Sequence, residues 1–303
     1  MQHINRKILV IGSSNTDMVI KTRRFPQPGE TILGGEFFMF AGGKGGNQAV
    51  AAARLQGDVT FVCKTGTDIF GTNAIEGYKK EGIETGYILR DEQLPSGVAL
   101  ITVNGEGENN IVVASGANYS FAIKDADNLL PVIRDAAILL LQLEIPLTTV
   151  EKIVAIAKKT SAKVVLNPAP AQVLSDVLLN GLYLITPNET EAETLTGIQV
   201  VDADSARLAA MYLRDKGVQH VIITLGSKGA FVSIDEFEGL VPAPVVKAVD
   251  TTAAGDVFNG ALVAALAANR DIQESIVFAC KAAALSVTRM GAQSSAPYLH
   301  EIK

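Results

Sequence analysis

Hydrophobic positions follow two alternating patterns along the chain. Short apolar runs rich in β-branched residues are separated by longer stretches in which apolar residues recur at helical spacing. The short runs predict strands at Ile8 to Ile11, Thr60 to Cys63, Ile138 to Leu143, Lys163 to Leu166, Leu182 to Thr186 and Val221 to Thr224. The longer stretches predict helices that include Gln48 to Gln56, Leu147 to Thr160, Ser205 to Gly217 and Asp256 to Ala268. This alternation predicts one α/β domain over residues 1–303, with a doubly wound, mostly parallel sheet.

Two segments depart from this alternation. Met18 to Phe40 contains a turn rich in proline and glycine followed by β-forming residues, and Gly97 to Ala114 has the pattern of a hairpin with Asn104-Gly105 near its turn. Together they predict a small antiparallel β lid formed by about residues 17–41 and 97–115. Because so small a sheet has little stability by itself, we expect it to pack on the substrate, the main domain or a second copy. A lid that also forms a homodimer is our hypothesis; a hairpin with no such role is the alternative.

Composition narrows the class of protein. Of the 303 residues, 48% are hydrophobic and 19% are charged, which is typical of a soluble globular domain. The net charge of −6 argues against nucleic-acid and anionic-membrane partners. The apolar run Ile8 to Ile11 is too short for a secretory signal, and Cys63 and Cys280 form no CxxC pair. We therefore expect a cytoplasmic protein with reduced thiols.

Polar or glycine-rich residues follow five of the predicted strands. Ligands of open parallel sheets bind beyond the carboxyl ends of the strands, so these residues predict a polar cleft. The segments are Gly12 to Asp17, Glu144, Asn167-Pro168, Pro187 to Glu191 and Leu225 to Gly229.

Two glycine-rich segments each precede a predicted helix. In Gly42 to Asn47, the backbone can approach a ligand closely and Lys44 and Asn47 supply donors for hydroxyl groups, although a flexible turn is the alternative. In Asp250 to Asp256, small residues leave the first backbone N–H groups of the predicted helix uncovered. Such a helix start favours binding of an anion. A carboxylate beside such donors suits phosphoryl transfer, because it can take the proton of a hydroxyl group. The alternative is an acidic residue favourably placed in a first helical turn.

Other chemistries have less support in the sequence. The three histidines, His3, His220 and His300, are isolated and are predicted to be surface residues rather than metal ligands. No GxSxG segment is present, and no GxGxxG segment follows the first strand. A hydrolase of the GxSxG type and a dinucleotide-dependent dehydrogenase are therefore disfavoured.

The chain resembles the ribokinase family of sugar and nucleoside kinases over nearly its whole length. The segments that carry the resemblance are GSSNTD at 12–17, AGGKGGNQAVA at 41–51, NPAPA at 167–171, TPNETEAETLTG at 186–197, TLGSKG at 224–229, DTTAAGDVFNG at 250–260 and VTRMGAQ at 287–293. Gly46 stands where the family usually has alanine, a difference expected to be sterically harmless.

The resemblance implies a role for each matching position. Asp256 would be the catalytic base, with Ala253, Ala254 and Gly255 as the anion hole. The sugar would be bound by Asn15, Asp17, Gly43, Lys44, Asn47, Glu144 and Asp256. Asn188 and Glu191 would help place Mg²⁺ and the phosphates of ATP. Thr224, Gly226, Ser227, Gly229, Gly255 and Cys280 would contact the nucleotide, with Cys280 near the adenine edge. An activating K⁺ would lie at Asp250, Thr252, Ser286, Arg289, Gly291 and Ser295, mainly against backbone oxygens.

The activity implied is ATP-dependent phosphorylation of D-ribose at O5 in a homodimeric enzyme that uses Mg²⁺ and K⁺. The alternatives are a kinase for deoxyribose, another sugar or a nucleoside, and a sugar-sensing binding protein on an inactive kinase scaffold.

Overall fold

The computed structural model describes residues 6–302, so His3 lies outside the described residues. Its strands are β1 (Lys7–Ile11), β2 (Asn15–Lys21), β3 (Glu36–Gly42), β4 (Asp58–Val62), β5 (Lys64–Gly66), β6 (Leu89–Asp91), β7 (Gly97–Val103), β8 (Asn109–Ala114), β9 (Ile138–Leu141), β10 (Lys163–Leu166), β11 (Leu184–Ile185), β12 (His220–Thr224), β13 (Ala230–Ser233) and β14 (Glu238–Val241). Its α-helices are α1 (Lys44–Arg54), α2 (Ile69–Lys80), α3 (Ile123–Asp127), α4 (Leu130–Asp135), α5 (Leu147–Ala157), α6 (Asp176–Leu179), α7 (Glu189–Thr196), α8 (Ala203–Asp215), α9 (Ala254–Ala267) and α10 (Ile272–Ser286).

The main sheet has eight strands in the order β14-β13-β12-β11-β10-β9-β1-β4. The six strands from β12 to β4 are parallel, and they are the six that the sequence predicts. The predicted α/β class with a mostly parallel sheet is therefore confirmed. The remaining two strands, β13 and β14, extend the sheet in antiparallel fashion and were not predicted.

The sheet is covered on both faces, as a doubly wound fold requires. Ile8 and Val10 of β1 belong to one hydrophobic cluster, with residues of α1, α9 and α10. Leu9 and Ile11 of the same strand belong to a second cluster, with residues of α5 and α8. Because alternate residues of a strand face opposite sides, one continuous apolar run supplies both cores.

Helices α1 and α9 pack closely on the same face of the sheet. A Cβ added to Gly260 of α9 would lie 2.6 Å from Ala51 Cβ and 2.7 Å from the Gln48 carbonyl oxygen. No side chain larger than hydrogen fits at that crossing. This contact brings the first turn of α9 beside the first turns of α1, and both contain predicted site residues.

The small sheet has the order β3-β2-β7-β8 and is formed by the two segments that depart from the main alternation. Its outer pairs are antiparallel and its central pair, β2 with β7, is parallel. Cross-strand register places Phe40, Asp17, Ala99 and Val113 in one row. The adjacent row, on the opposite face, is Met39, Met18, Leu100 and Val112.

The prediction that the histidines are surface residues is wrong for His220. This residue begins β12, has 4% of its surface exposed and packs edge-on against the Tyr183 ring at a centroid distance of 4.8 Å. Burial lowers its pKa, so the ring stays neutral. The sequence does not reveal that β12 lies between two neighbouring strands. His300 is exposed, as predicted.

Cys63 and Cys280 are both buried as free thiols. Within residues 6–302, the helices are too short or too polar to cross a membrane.

Candidate active site

A cavity of about 670 Å³ lies beyond the carboxyl ends of the parallel strands. That volume is in the range of small-molecule sites. The cavity is lined by all eight positions predicted to contact ATP: Asn188, Glu191, Thr224, Gly226, Ser227, Gly229, Gly255 and Cys280. Lys44, Ala253, Ala254 and Asp256 also line it, so the two glycine-rich segments meet there. Its other end is apolar, with Val245, Val246, Ala283 and Val287 in the lining.

Asp256 lies in the first turn of α9 with 5% of its surface exposed. Asn47 Nδ2 donates a hydrogen bond to its Oδ2 at 2.9 Å, and Gln48 Nε2 donates one to its Oδ1 at 2.9 Å. Burial raises the pKa of Asp256, and the nearby Lys44 ammonium and the two amides partly offset this effect. The carboxylate is therefore fixed in orientation and more basic than an exposed one, which suits a general base.

The start of α9 presents free backbone donors. Ala253, the residue before the helix, has the left-handed backbone conformation (φ 59°, ψ 14°), and no side chain caps the helix. Ala254 N–H donates to the Thr251 carbonyl oxygen at 3.3 Å. The N–H groups of Gly255 and Asp256 have no partner within the described residues. Uncapped donors at the positive end of a helix dipole form a site for an anion such as a transferring phosphoryl group.

The predicted sugar positions come from several elements whose ends hydrogen-bond to one another. Gly46 N–H donates to the Ser13 carbonyl oxygen at 2.9 Å, which joins the glycine-rich loop to the loop after β1. Glu144 Oε2 accepts hydrogen bonds from Ser13 Oγ and from the Lys44 backbone N–H. Asn15 begins β2, where it pairs with Gly42 of β3, next to Gly43.

Four carboxylates and one ammonium group lie near one another in the site. Burial, followed by the charges of Glu144 and Asp256, raises the pKa of Asp17 to about 6. Burial alone would lower the pKa of Lys44, but Asp256, Glu144 and Glu191 outweigh it and raise the pKa. Lys44 is therefore cationic and neutralises part of this negative charge.

Asn188 and Glu191 form a reciprocal cap at the start of α7. Asn188 Oδ1 accepts from the Glu191 N–H at 2.8 Å, and Glu191 Oε2 accepts from the Asn188 N–H at 2.9 Å. Burial raises the pKa of Glu191, with the Asn188 N–H and Lys44 opposing that rise. This cap holds the Glu191 carboxylate at the cavity wall.

The structure brings together three of the six positions predicted for a monovalent cation. Asp250 Oδ1 accepts from the Thr252 N–H at 2.9 Å, and its Oδ2 accepts from the Gly291 N–H at 2.8 Å. The side chains of the other three make local contacts: Ser286 with the Ala283 carbonyl, Ser295 with the Ala292 carbonyl and Arg289 with Glu301.

Sequence reasoning missed several side chains that shape the site. Gln48 binds Asp256 and also donates to Asn167 Oδ1 at 3.0 Å, while Gln142 Nε2 donates to Gln48 Oε1 at 2.6 Å. Asn118 Nδ2 donates to Asn15 Oδ1 at 2.8 Å. Gln48 follows Asn47 directly, which was a usable signal. Gln142 and Asn118 carried none, because their partners are about a hundred residues away in sequence.

Glycine at position 46 is more than the sterically harmless replacement for alanine that was expected, because this structure has no room for a Cβ there. A Cβ at Gly46 would lie 2.4 Å from the Tyr78 hydroxyl oxygen, far inside van der Waals contact.

A buried, oriented carboxylate beside free amide donors, at the mouth of a nucleotide-sized cavity, is the arrangement of a small-molecule kinase. Comparison with known proteins gives the family. A model of the pfkB family carbohydrate kinases matches residues 5–299, and the chain belongs to this family.

Similar proteins cover the chain almost completely. A Haemophilus influenzae protein named ribokinase is 47% identical over 298 residues, which is 98% of this chain and 97% of that protein. A Salmonella typhi protein named deoxyribokinase is 40% identical over 295 residues, 97% of this chain and 96% of that protein. The solved structure of Arabidopsis thaliana ribokinase complexed with ribose and ATP superimposes with a TM-score of 0.93 at 31% identity, covering 99% of this chain and 98% of that one.

Proposed function

We propose that the chain transfers the γ-phosphoryl group of ATP to O5 of D-ribose, giving D-ribose 5-phosphate and ADP. The observation that carries the proposal is the position of Asp256, which lies between the amides of α1 and the nucleotide-sized cavity. The relatives named ribokinase, and the similarity to a structure that holds both ribose and ATP, support this choice of substrates.

In this proposal the reaction is an in-line displacement at phosphorus. O5 of ribose forms a bond to the γ-phosphorus as the bond from that phosphorus to ADP breaks, and the O5 proton passes to Asp256. Backbone N–H groups at Ala253 and Gly255 stabilise the transferring oxygens, and the Ala254 N–H joins them when it leaves the Thr251 carbonyl oxygen, to which it donates at 3.3 Å. Positioning matters more than the strength of the base, because the transition state of phosphoryl transfer is loose.

The sugar is bound by Asn15, Asp17, Gly43, Lys44, Asn47 and Glu144. Asn118 holds the carbonyl oxygen of the Asn15 side chain, which leaves the Asn15 amide nitrogen to face a hydroxyl group. Asn47 donates to Asp256, while its buried Oδ1 has no partner among the described residues. A sugar hydroxyl would satisfy this acceptor.

The nucleotide occupies the cavity, with its phosphates at the start of α9 and its base at the apolar end near Cys280. Burial raises the pKa of the Cys280 thiol to about 11, so it meets the base as a neutral group. Thr224, Gly226, Ser227 and Gly229 line the wall between these ends. Asn188 and Glu191 supply oxygen ligands of the kind Mg²⁺ prefers; when bound, Mg²⁺ neutralises phosphate charge.

A K⁺ ion is proposed beside the segment that leads into α9. Each side-chain oxygen of Asp250 accepts one N–H hydrogen bond and retains a lone pair that could bind K⁺. The other proposed K⁺ ligands are also oxygen atoms, of Thr252, Ser286, Arg289, Gly291 and Ser295. An all-oxygen set suits a hard cation. The Arg289 guanidinium is itself a cation and pairs with Glu301, so only the carbonyl oxygen of Arg289 can be a K⁺ ligand. When bound, K⁺ would order the anion hole.

The small sheet is proposed as a lid over the sugar and as the contact of a homodimer. The row that contains Asp17 faces the acidic groups of the site, so its neighbours Phe40, Ala99 and Val113 can cover a bound sugar. The opposite row is apolar and exposed, with Leu100 55% and Val112 67% exposed. Exposed apolar surface of this kind is typical of an interface. A cytoplasmic location fits the free thiols and the proposed use of ATP.

A coupled assay of ADP release across a panel of sugars and nucleosides tests the proposal, with ribose expected to be the best acceptor. The similarity to a protein named deoxyribokinase makes 2-deoxyribose the second candidate. A site that hydrogen-bonds the 2-hydroxyl would reject the analogue that lacks it. Ribose binding without ADP production would indicate a sugar-binding protein and overturn the proposal.

A further inference from the structure

The Tyr78 hydroxyl lies against the loop after β1 and close to Gly46 in the first turn of α1. Tyr78 is on α2, and its side chain is buried against Phe61 with ring centroids 5.0 Å apart. Its hydroxyl shares a hydrogen bond of 2.7 Å with Ser14 Oγ. Burial raises the pKa of Tyr78, so the hydroxyl stays protonated. A polar group thus reaches from the core of the main domain to the loop after β1.

Ser14 is the last residue of that loop, which runs from Gly12 to Ser14. Its neighbour Ser13 donates to Glu144, and its neighbour Asn15 begins β2 and the lid. The Ser14 backbone is held from one side by Asn118, which accepts from the Ser14 N–H at 2.9 Å and donates to its carbonyl oxygen at 3.1 Å. Tyr78 provides the only side-chain contact to the Ser14 hydroxyl within the described residues.

Gly46 makes room for this hydroxyl. A Cβ at position 46 would lie 2.4 Å from Tyr78 Oη, 3.1 Å from Gln293 Nε2 and 3.2 Å from Tyr78 Cζ. The first distance is impossible for two non-bonded atoms, whereas the other two require only small shifts of the neighbouring groups. Because the Gly46 N–H donates to the Ser13 carbonyl oxygen, Gly46 and Tyr78 hold the same loop from two sides. The Tyr78 hydroxyl and a side chain at position 46 therefore exclude each other.

We infer that Tyr78 is a positioning residue for the sugar site, and that Gly46 is the matching position that admits its hydroxyl. The pair fixes the loop that carries Ser13 and Asn15 and so sets the affinity for the sugar. Neither residue lines the nucleotide cavity, so the affinity for ATP should not depend on them. This inference rests on the proposed function, because it assigns that loop to sugar binding.

Four variants test the inference: Tyr78→Phe, Gly46→Ala, the double variant with both changes, and Gly77→Ala as a control. Gly77 precedes Tyr78 on α2, and a Cβ there would meet no atom within 4 Å. Tyr78→Phe should raise the KM for ribose roughly three- to tenfold, the usual effect of one lost hydrogen bond, with the KM for ATP unchanged. Gly46→Ala should raise the KM for ribose more than Tyr78→Phe does.

In the double variant the clashing Tyr78 hydroxyl is absent, so the KM for ribose should return to the value of Tyr78→Phe. Gly77→Ala should behave as wild type.

If Tyr78 had only a structural role, its replacement would lower the melting temperature without raising the KM for ribose selectively over the KM for ATP. The inference is overturned if Gly46→Ala has a normal KM for ribose, or if the double variant is no better than Gly46→Ala alone. If Gly46→Ala does not fold, the KM values for ribose of Tyr78→Phe and of the double variant are compared instead. Equal KM values support the inference, and a higher KM of the double variant contradicts it. Absence of ribose phosphorylation by wild type would instead refute the proposed function.

Discussion

The side-chain amide of Asn47 donates a hydrogen bond to Asp256 Oδ2 at 2.9 Å across 209 residues of chain. This contact helps to orient the carboxylate toward the cavity.

Asp256→Asn is the most direct test of the mechanism. We expect kcat to fall by roughly 10²- to 10⁴-fold, the range for losing a general base. Binding of ribose and ATP, measured by calorimetry, should be retained. Asp204→Asn, an exposed carboxylate on α8, is the control. Near-normal turnover of Asp256→Asn would remove this residue from its role.

Gln48 provides a second test, because its amide binds the other oxygen of Asp256. Gln48→Leu keeps the volume but removes the donor. Loss of a hydrogen bond to a charged group predicts a decrease in kcat of roughly 10- to 100-fold. The same donor lowers the pKa of Asp256, so the acidic limb of the kcat profile should move to higher pH. An effect on folding alone would lower the melting temperature and leave the pH profile in place.

Asp17 should make stability depend on pH near neutrality. Its pKa is raised from 3.8 to about 6, so the folded state binds the proton more tightly than the unfolded state does. The free energy of unfolding should therefore fall as pH rises through about 6. Asp17→Asn removes this loss and should be more stable than wild type by about 2–3 kcal/mol at pH 8, with the gain decreasing below about pH 6 and vanishing below about pH 4.

Denaturant titrations of both proteins at about pH 4 and pH 8 measure this difference. The variant should at the same time bind ribose more weakly, because a carboxylate acceptor is lost. A constant difference in stability across this pH range would contradict the raised pKa of Asp17.

Asp250 allows the cation proposal to be tested without a structure of the bound ion. We expect the rate of ribose phosphorylation to rise when NaCl is replaced by KCl at equal ionic strength, because K⁺ would order the segment before the anion hole. Asp250→Asn should abolish the difference between the two salts. Equal wild-type rates in both salts would eliminate the cation site.

The exposed row of the small sheet predicts the oligomeric state. Leu100→Asp places a charge in the middle of that row and should convert a dimer into a monomer in sedimentation experiments. Val177→Asp, at a 77% exposed position on α6, is the matched control and should leave the mass unchanged. A wild-type chain that is monomeric at high concentration would refute the proposed contact.

The sequence predicted those features that local pattern controls. Apolar runs identified the six parallel strands, and the rule for strand ends located the cavity before any contact was known. The antiparallel strands β13 and β14 were missed because AFVS at 230–233 and EGLV at 238–241 form shorter apolar runs than those that predicted the six parallel strands. His220 was misplaced because burial depends on neighbouring strands. The contact from Gln142 to Gln48 could not be predicted, since it depends on how β9 and α1 pack across the sheet face.

The short distance between position 46 and the Tyr78 hydroxyl constrains the order in which this chain can change during evolution. Alanine at position 46 is accessible only after the tyrosine has been replaced, and tyrosine at position 78 is tolerated only where glycine is already present. Exchange of glycine for alanine within a helix commonly increases stability, and at this position it should do the opposite.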